Sequence, residues 1–338
     1  MRISRANLAA AVANEGCAGV IASVGLSDYE NSAIVDAAEL DRMALAQEIR
    51  KARKQSDGVI GVNVMVALRD YEAIIRECVK EKVDMIISGA GLPMYLPGYT
   101  EGSDIPLIPI VSSLRTFKLI HRKWLKDYNR CPDAVIIEGT QAGGHLGYST
   151  EQILQGSPTL EETLADVLGF VKQFESPIPV IVAGGIFSGE EMAHYLKLGA
   201  SGVQMATRFV CTEECDADIK FKQAYLDASA QDIMLIDSPV GLPGKVIRNE
   251  FVDKIKLGQT TPFQCRYHCL RTCNPSTAPY CIAEVLAKAS DGKLDESFAF
   301  AGSNAWRCTE IVSVKTLIGQ IMRECESAYA ENPVDVVK

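Results

Sequence analysis

The stretch "DAVIIEGTQAGGHLG" (residues 133–147) runs an unbroken apolar segment into a glycine-rich turn that carries one of only four histidines in 338 residues. Apolar residues at successive positions, rather than at alternate ones, mark a strand covered on both faces, as in a parallel sheet wrapped by helices. Six further runs read the same way, at 19–25, 59–66, 84–91, 107–113, 179–186 and 202–209. Segments with helical periodicity separate them, at 41–55, 70–82, 116–128, 159–174 and 189–199. This alternation predicts an α/β chain of the TIM-type (β/α)8 barrel class with seven of its eight strands visible. The chain opens directly on a helix, with Ser4 as the expected N-cap, so the first strand is expected upstream of Met1. An open doubly wound sheet is the alternative, but it would place a glycine-rich phosphate loop after its first strand, and none stands there.

The barrel is expected over 1–210. Beyond it, 211–338 reads as a smaller capping region with a cysteine-containing segment. The stretch 231–251 reads as loop, because Pro239 and Pro243 interrupt any regular period. Hydrophobic residues make up 47% of the chain, enough for a sizeable core, and the net charge of −9 argues against nucleic acid as a partner. The early run "LAAAVA" is too short for a signal peptide, and no apolar stretch approaches the roughly 18 residues that span a bilayer. A cytoplasmic protein with no membrane partner is expected. Its eleven cysteines are then thiols or metal ligands.

In a barrel the chemistry sits at the C-terminal ends of the strands. Those ends carry Asn63, Ser88 and Gly89, Glu138, the turn Ala142, Gly143, Gly144 and His145, Ala183 with Gly184 and Gly185, and Met205, Ala206 and Thr207. Glycine at so many of them admits a large flat ligand close to the backbone. "AGGI" (183–186) leads into a helix N-terminus, and "ATRF" (206–209) supplies a second such turn one helix later. Together they predict a phosphate-bearing cofactor. His145 is the candidate catalytic residue, since imidazole exchanges protons near neutrality. His121 and His194, both inside helical patterns, read as packing or surface residues.

"GVNVMV", "SGAGLP", "EGTQAGGHLG", "VIVAGGI" and "GVQMATRF", in this order, resemble the nitronate monooxygenase family, formerly the 2-nitropropane dioxygenases, whose superfamily includes the type II enoyl-ACP reductases. The resemblance covers about residues 1–250. It implies FMN as the cofactor, with Asn63 at the isoalloxazine, Gly184, Gly185, Ala206 and Thr207 at the phosphate, and His145 facing the flavin. The implied reaction is oxidation of nitronates or nitroalkanes with His145 as base. The alternative is reduction of an activated carbon–carbon double bond, with NAD(P)H or a ferredoxin-type protein as donor. A non-catalytic redox sensor is a minor third reading. Two features depart from the family pattern: Met1 stands at the end of the usual "GGM" turn, and Gln141 stands where "EAGGH" has a carboxylate.

Cys265, Cys269, Cys273 and Cys281 follow the spacing Cys-x3-Cys-x3-Cys-x7-Cys, with Pro275 and Pro279 turning the chain back before the last. Four thiols so close suit a 4Fe–4S cluster or, less well, an all-cysteine zinc site. Cys17, Cys78 and Cys131 are expected as buried core thiols.

Overall fold

The computed structural model describes residues 1–27 and 36–331. Its main sheet holds the seven expected strands, all parallel: β1 (Gly19–Ala22), β2 (Ile60–Met65), β3 (Met85–Gly89), β4 (Leu107–Val111), β5 (Val135–Glu138), β7 (Val180–Ala183) and β8 (Gly202–Gln204). A two-residue strand, β6 (Gly144–His145), leaves this order and joins a second sheet. Helices cover the outside, and the fold is of the TIM type. No ladder joins β8 to β1 among the described residues, so a seam lies between them. The residues beside it are Ser4, whose carbonyl accepts from Ala22 N–H and whose hydroxyl donates to the Val20 carbonyl, and Ile3, whose carbonyl accepts from Asp216 N–H.

Successive residues of a strand face opposite sides, and the core divides accordingly. Ile21, Ile60, Val62, Val64, Ile86 and Val135 pack outward under the helices. Ile87, Ile108, Ile136 and Ala183 fill the barrel interior. Burial on both faces is why the strands read as unbroken apolar runs.

Four local expectations are corrected. Ser4 does not cap the first helix (Ala6–Asn14): Arg5 is its N-cap residue, and the free N–H groups are taken by carboxylates from afar, Ala6 by Glu48 and Arg5 and Leu8 by Asp216. The region read as loop forms a hairpin, β9 (Ile233–Asp237) and β10 (Pro243–Ile247). Pro243 is the first residue of its strand, a position where a missing N–H is tolerated. The run 202–209 is strand only to Gln204, and Thr207–Val210 is helical. Of the three thiols expected in the core, Cys78 is buried, but Cys17, in the turn after the first helix, and Cys131, in the turn after the Leu114–Tyr128 helix, are exposed.

The C-terminal helix (Val314–Glu331) lies against the Gly189–Lys197 helix. Gly189 N–H donates to Glu324 Oε2 at 2.8 Å and Lys197 Nζ to the Ala328 carbonyl at 2.6 Å. The helices approach so closely that a Cβ on Gly189 would stand 2.0 Å from the Ile321 carbonyl oxygen. Backbone on both sides leaves no flexible group to yield. Gly189→Ala should therefore destabilise the protein by about 1–3 kcal/mol, the usual range for overpacking. Gly169→Ala, in a helix with open space around it, should stabilise by up to ~1 kcal/mol. Urea unfolding of the two variants checks the contrast.

Candidate active site

Polar side chains enter the barrel at the C-terminal ends of the strands. In β2, Val62 and Val64 face the helices, so Asn63 between them faces inward. Glu138 is in register with Ala183, and Ala183 with Gln204, so these three form one row across β5, β7 and β8. Gln204 Oε1 and Ser23 Oγ are buried without a hydrogen-bond partner among the described residues. They stand at the ends of the strands that border the seam. A buried acceptor left unpaired costs about 1–3 kcal/mol, so this amide oxygen fits a site that receives a ligand with N–H donors.

The turn after β7 is shaped for an anion. Gly184 and Gly185 have φ of +92° and +90°, a conformation that glycine adopts without strain. Side chains there would also collide: a Cβ on Gly184 would lie 2.9 Å from the Gly139 carbonyl oxygen, and one on Gly185 would lie 2.6 Å from Gln141 Oε1. Gly185 and Ile186 give their N–H to no acceptor among the described residues. Across from them, Gly302 lies so close to Thr207 that a Cβ would meet its hydroxyl at 2.7 Å. Asn304 Nδ2 donates to the Gly185 carbonyl at 2.5 Å and Ser303 N–H to the Gln141 carbonyl at 3.0 Å. Segment 301–304 thus closes over both turns. Consecutive N–H groups without an acceptor on a glycine turn suit a phosphate.

His145 is not on a bare loop. It pairs with Gly244 and Gly144 with Lys245, making β6 an edge strand beside β10. Its Nε2 lies 2.7 Å from Ser238 Oγ, and its ring meets the edge of Phe300 with centroids 4.8 Å apart. Burial, with a smaller contribution from the chain's amino terminus, lowers its pKa to about 4, so the imidazole is neutral at physiological pH and can accept a proton. Burial pushes Glu138 the other way, up to about 7, so its carboxyl keeps a proton through mildly acidic pH. Environments that drive two titrating groups apart in this way sort them into acceptor and donor. Beneath them, buried Lys245 donates to the Thr140 carbonyl and to Ser303 Oγ, both at 2.6 Å, and lack of solvation lowers its pKa to about 8. It ties the 139–145 turn to segment 301–304.

The remaining expected residues are scattered over this framework. Gly89 faces the interior against Ile110, and the space above Gly144 is open. Gly143 meets the Ala301–Gly302 peptide, where a Cβ would stand 2.5 Å from Gly302 N. Ala142 and Ala183 are buried, Met205 half-buried and Ala206 exposed. The Ser88 hydroxyl turns away from the interior, to Tyr71 at 2.7 Å and the Val64 carbonyl at 3.0 Å. His121 packs among Phe117, Phe170 and Phe174, and His194 lies at the surface 3.5 Å from Glu161. Cys265, Cys269, Cys273 and Cys281 lie together on the segment before the Ile282–Ser290 helix. Among the described residues, no three Cys, His, Asp or Glu side chains converge as the ligands of a single metal ion. Sequence reasoning missed Gln204, Ser238, Lys245 and segment 300–304. The first lies inside the motif "GVQMATRF" (202–209), where no role was assigned to it. The others carry no local signal.

The sequence pattern of the nitronate monooxygenase family matches residues 1–324, and the chain belongs to that family. A "probable nitronate monooxygenase" of Staphylococcus saprophyticus is 37% identical over 123 residues, 36% of this chain and 34% of that one. A Mycobacterium tuberculosis protein named as an octahydroindene-carboxyl-CoA dehydrogenase is 28% identical over 256 residues, 76% of this chain and 63% of its own length. The matches thus span less than two thirds of these curated relatives. Among solved structures, Thermotoga maritima FabK superposes with a TM-score of 0.73 at 28% identity, covering 97% of this chain and 91% of that one. A nitroalkane oxidase of Streptomyces ansochromogenes reaches a TM-score of 0.76 at 20% identity, covering 98% and 94%, and shares the fold.

The opposite shifts of Glu138 and His145 carry opposite signs in stability. The raised Glu138 contributes stability that is present below pH 4.5 and is lost as pH rises toward 7. The lowered His145 contributes stability that is present above pH 6.5 and is lost as pH falls toward 4. Between these limits the two slopes oppose one another. In flavin-free protein, Glu138→Gln should remove the first alone. Its advantage over wild type should then grow with pH between 4.5 and 7, by up to about 1.4 kcal/mol per pH unit. Urea midpoints across that range provide the measurement, and a pH-independent difference would show Glu138 to be unshifted.

Proposed function

We propose that this protein is an FMN-dependent oxidoreductase that oxidises nitronates or nitroalkanes, with His145 as proton acceptor. The observation that carries this reading is an imidazole held 2.7 Å from Ser238 Oγ, at the mouth of a barrel whose turns suit a phosphate. The residues fit FMN. Gly184, Gly185, Ala206 and Thr207 would hold its phosphate, while Asn63, Gln204 and the 142–144 turn would border its ring. When bound, FMN supplies electron transfer to and from a carbon centre. The chain's own part is proton handling and placement. If His145 Nε2–H donates to Ser238 Oγ, Nδ1 remains free to take the α-proton of a nitroalkane. Phe300 restricts water at the ring, and Lys245 holds the loop so that His145 keeps its position. Glu138, whose pKa burial raises to about 7, places a donor rather than a negative charge inside the barrel at mildly acidic pH.

A second reading is reduction of an activated carbon–carbon double bond in an acyl thioester, with His145 polarising the acceptor and NAD(P)H or a ferredoxin-type protein as donor. The similarity to FabK over nearly the whole chain and the CoA-ester relatives favour it.

Nitronate-dependent oxygen uptake, set against NAD(P)H-dependent enoyl reduction, separates the two reactions. In the active assay His145→Ala should retain flavin and lose turnover by ~10²–10⁴-fold. Ser238→Ala should lose about 0.5–1.5 kcal/mol, the worth of one hydrogen bond, or a few-fold to tenfold in rate. A His145→Ala enzyme within threefold of wild type would remove the residue from the chemistry. Purified protein carrying no flavin after reconstitution with FMN would overturn the reading as a whole.

A further inference from the structure

A cavity of about 280 Å³ lies just beyond the turn at 183–186, bounded by Ser188, Arg208, Arg307 and Gln320, and two thiols, Cys211 and Cys308, line it. Each is otherwise buried, 3% and 5% exposed. Cys211 closes the Thr207–Val210 helix, and Cys308 closes the 3-10 turn Ala305–Arg307. Hydrogen bonds set these two chain ends side by side. In a helical turn a carbonyl faces the N–H four residues on, so the Thr207 carbonyl points toward residue 211. The Cys211 N–H bonds the Arg208 carbonyl instead, and Cys308 Sγ lies 4.0 Å from the Thr207 oxygen. Beyond the thiols the backbones stay paired. Val312 N–H donates to the Cys211 carbonyl at 3.3 Å and Glu213 N–H to the Val312 carbonyl at 3.0 Å, a parallel bridge between Thr212 and Val312. Cys211, Cys308, Phe187 and Val210 share one buried cluster.

The two sulfurs differ in their surroundings. The guanidinium groups of Arg208 and Arg307 stand 4.9 and 4.3 Å from the centre of the Phe187 ring. Arg307 is paired with Glu191 at 2.6 Å. Arg208 donates to neutral groups, the Phe187 carbonyl and Gln320 Oε1, so its charge is not cancelled locally. Glu324, also on the cavity, is engaged by the Gly189 N–H. A hydrogen bond from the Cys211 thiol and, less strongly, the two guanidiniums hold the Cys308 thiol below its ordinary value against the effect of burial. The same bond, together with burial, pushes Cys211 far above its own. A sulfur that ionises readily beside one that stays protonated suits attack by the first and resolution by the second. The position of the pair gives it a consequence. Gly302 packs on the Thr207 hydroxyl and Asn304 holds the Gly185 carbonyl, so Thr207 and segment 301–304 form two sides of the phosphate turns. A bond between Cys211 and Cys308 would fasten one side to the other.

We propose that Cys211 and Cys308 are a dithiol pair that hydrogen peroxide oxidises to a disulfide, fastening segment 301–308 to the Thr207–Val210 helix. The Cys308 thiolate attacks one peroxide oxygen. The O–O bond breaks, a sulfenic acid forms, and the hydroxide released recovers the thiol's proton as water. The Cys211 sulfur then attacks Cys308, an S–S bond replaces the S–O bond, and the departing hydroxide takes the Cys211 proton as a second water. One peroxide accepts the two electrons that the thiols give up. The cavity admits this oxidant, which is little larger than a water of ~30 Å³. Full-length protein treated with a small excess of hydrogen peroxide and then alkylated should lose two titratable thiols. Mass spectrometry should find peptides joined through Cys211 and Cys308, released by dithiothreitol. In Cys211→Ser, with circular dichroism confirming the fold, oxidation should stop at a Cys308 sulfenic acid that dimedone traps. Amide exchange across 301–308 should slow by ~10-fold in the oxidised wild type. Slower FMN release should accompany it, a consequence that rests on the cofactor reading above. A protein that binds no FMN would fail that reading alone, because crosslink and exchange are measured without flavin. Both thiols still alkylated after peroxide, a crosslink to Cys215 instead, or unchanged exchange across 301–308 in the crosslinked protein would each overturn the proposal.

Discussion

The pairing of Gly144–His145 with Gly244–Lys245 is the contact on which the site depends. It draws the loop after β5 out of the barrel's own sheet and attaches it to a hairpin from the region beyond residue 210. Once β6 is an edge strand, His145 has a fixed backbone, and Ser238 and Phe300 fix its ring. The same contact allows Lys245 to reach Thr140 and Ser303. Gly143 permits it, since any side chain would collide with the Ala301–Gly302 peptide. Glycine in this turn therefore serves backbone-to-backbone packing as much as access for a ligand.

Electrostatics follow from the same packing. Segment 300–304 and the hairpin pack at the barrel mouth, and the loss of solvation there disfavours charge on the titratable groups inside it. The consequence differs by group: His145 loses its proton, Glu138 keeps one, and Lys245 becomes easier to deprotonate. The site thus tends toward neutrality.

The C-terminal region contributes to the site at several points. Asn304 holds the Gly185 carbonyl, Ser303 the Gln141 carbonyl, and the cysteine segment lies on the loop after β2. The last helix packs against the Gly189–Lys197 helix, which starts just beyond the turn proposed to hold phosphate. A barrel with a seam between β8 and β1 gains in this way a second set of braces, drawn from residues far along the chain.

The amino-acid sequence by itself determined the elements whose signal is local. Seven apolar runs, the helical periods between them and the glycine turns at strand ends depend on near neighbours, and all seven strands formed where the runs lay. The turn at 183–186 and the histidine at 145 were legible for the same reason. The tertiary structure alone decided what those pieces meet. Ser238 lies 93 residues from His145 and Lys245 lies 105 from Thr140, and no periodicity encodes such partners. Burial, which sets the protonation of Glu138 and His145, is likewise a property of what packs around them. Ser4 shows the limit from the other side. A good local cap was passed over because Glu48 and Asp216, brought close by folding, satisfy the same N–H groups with full charges.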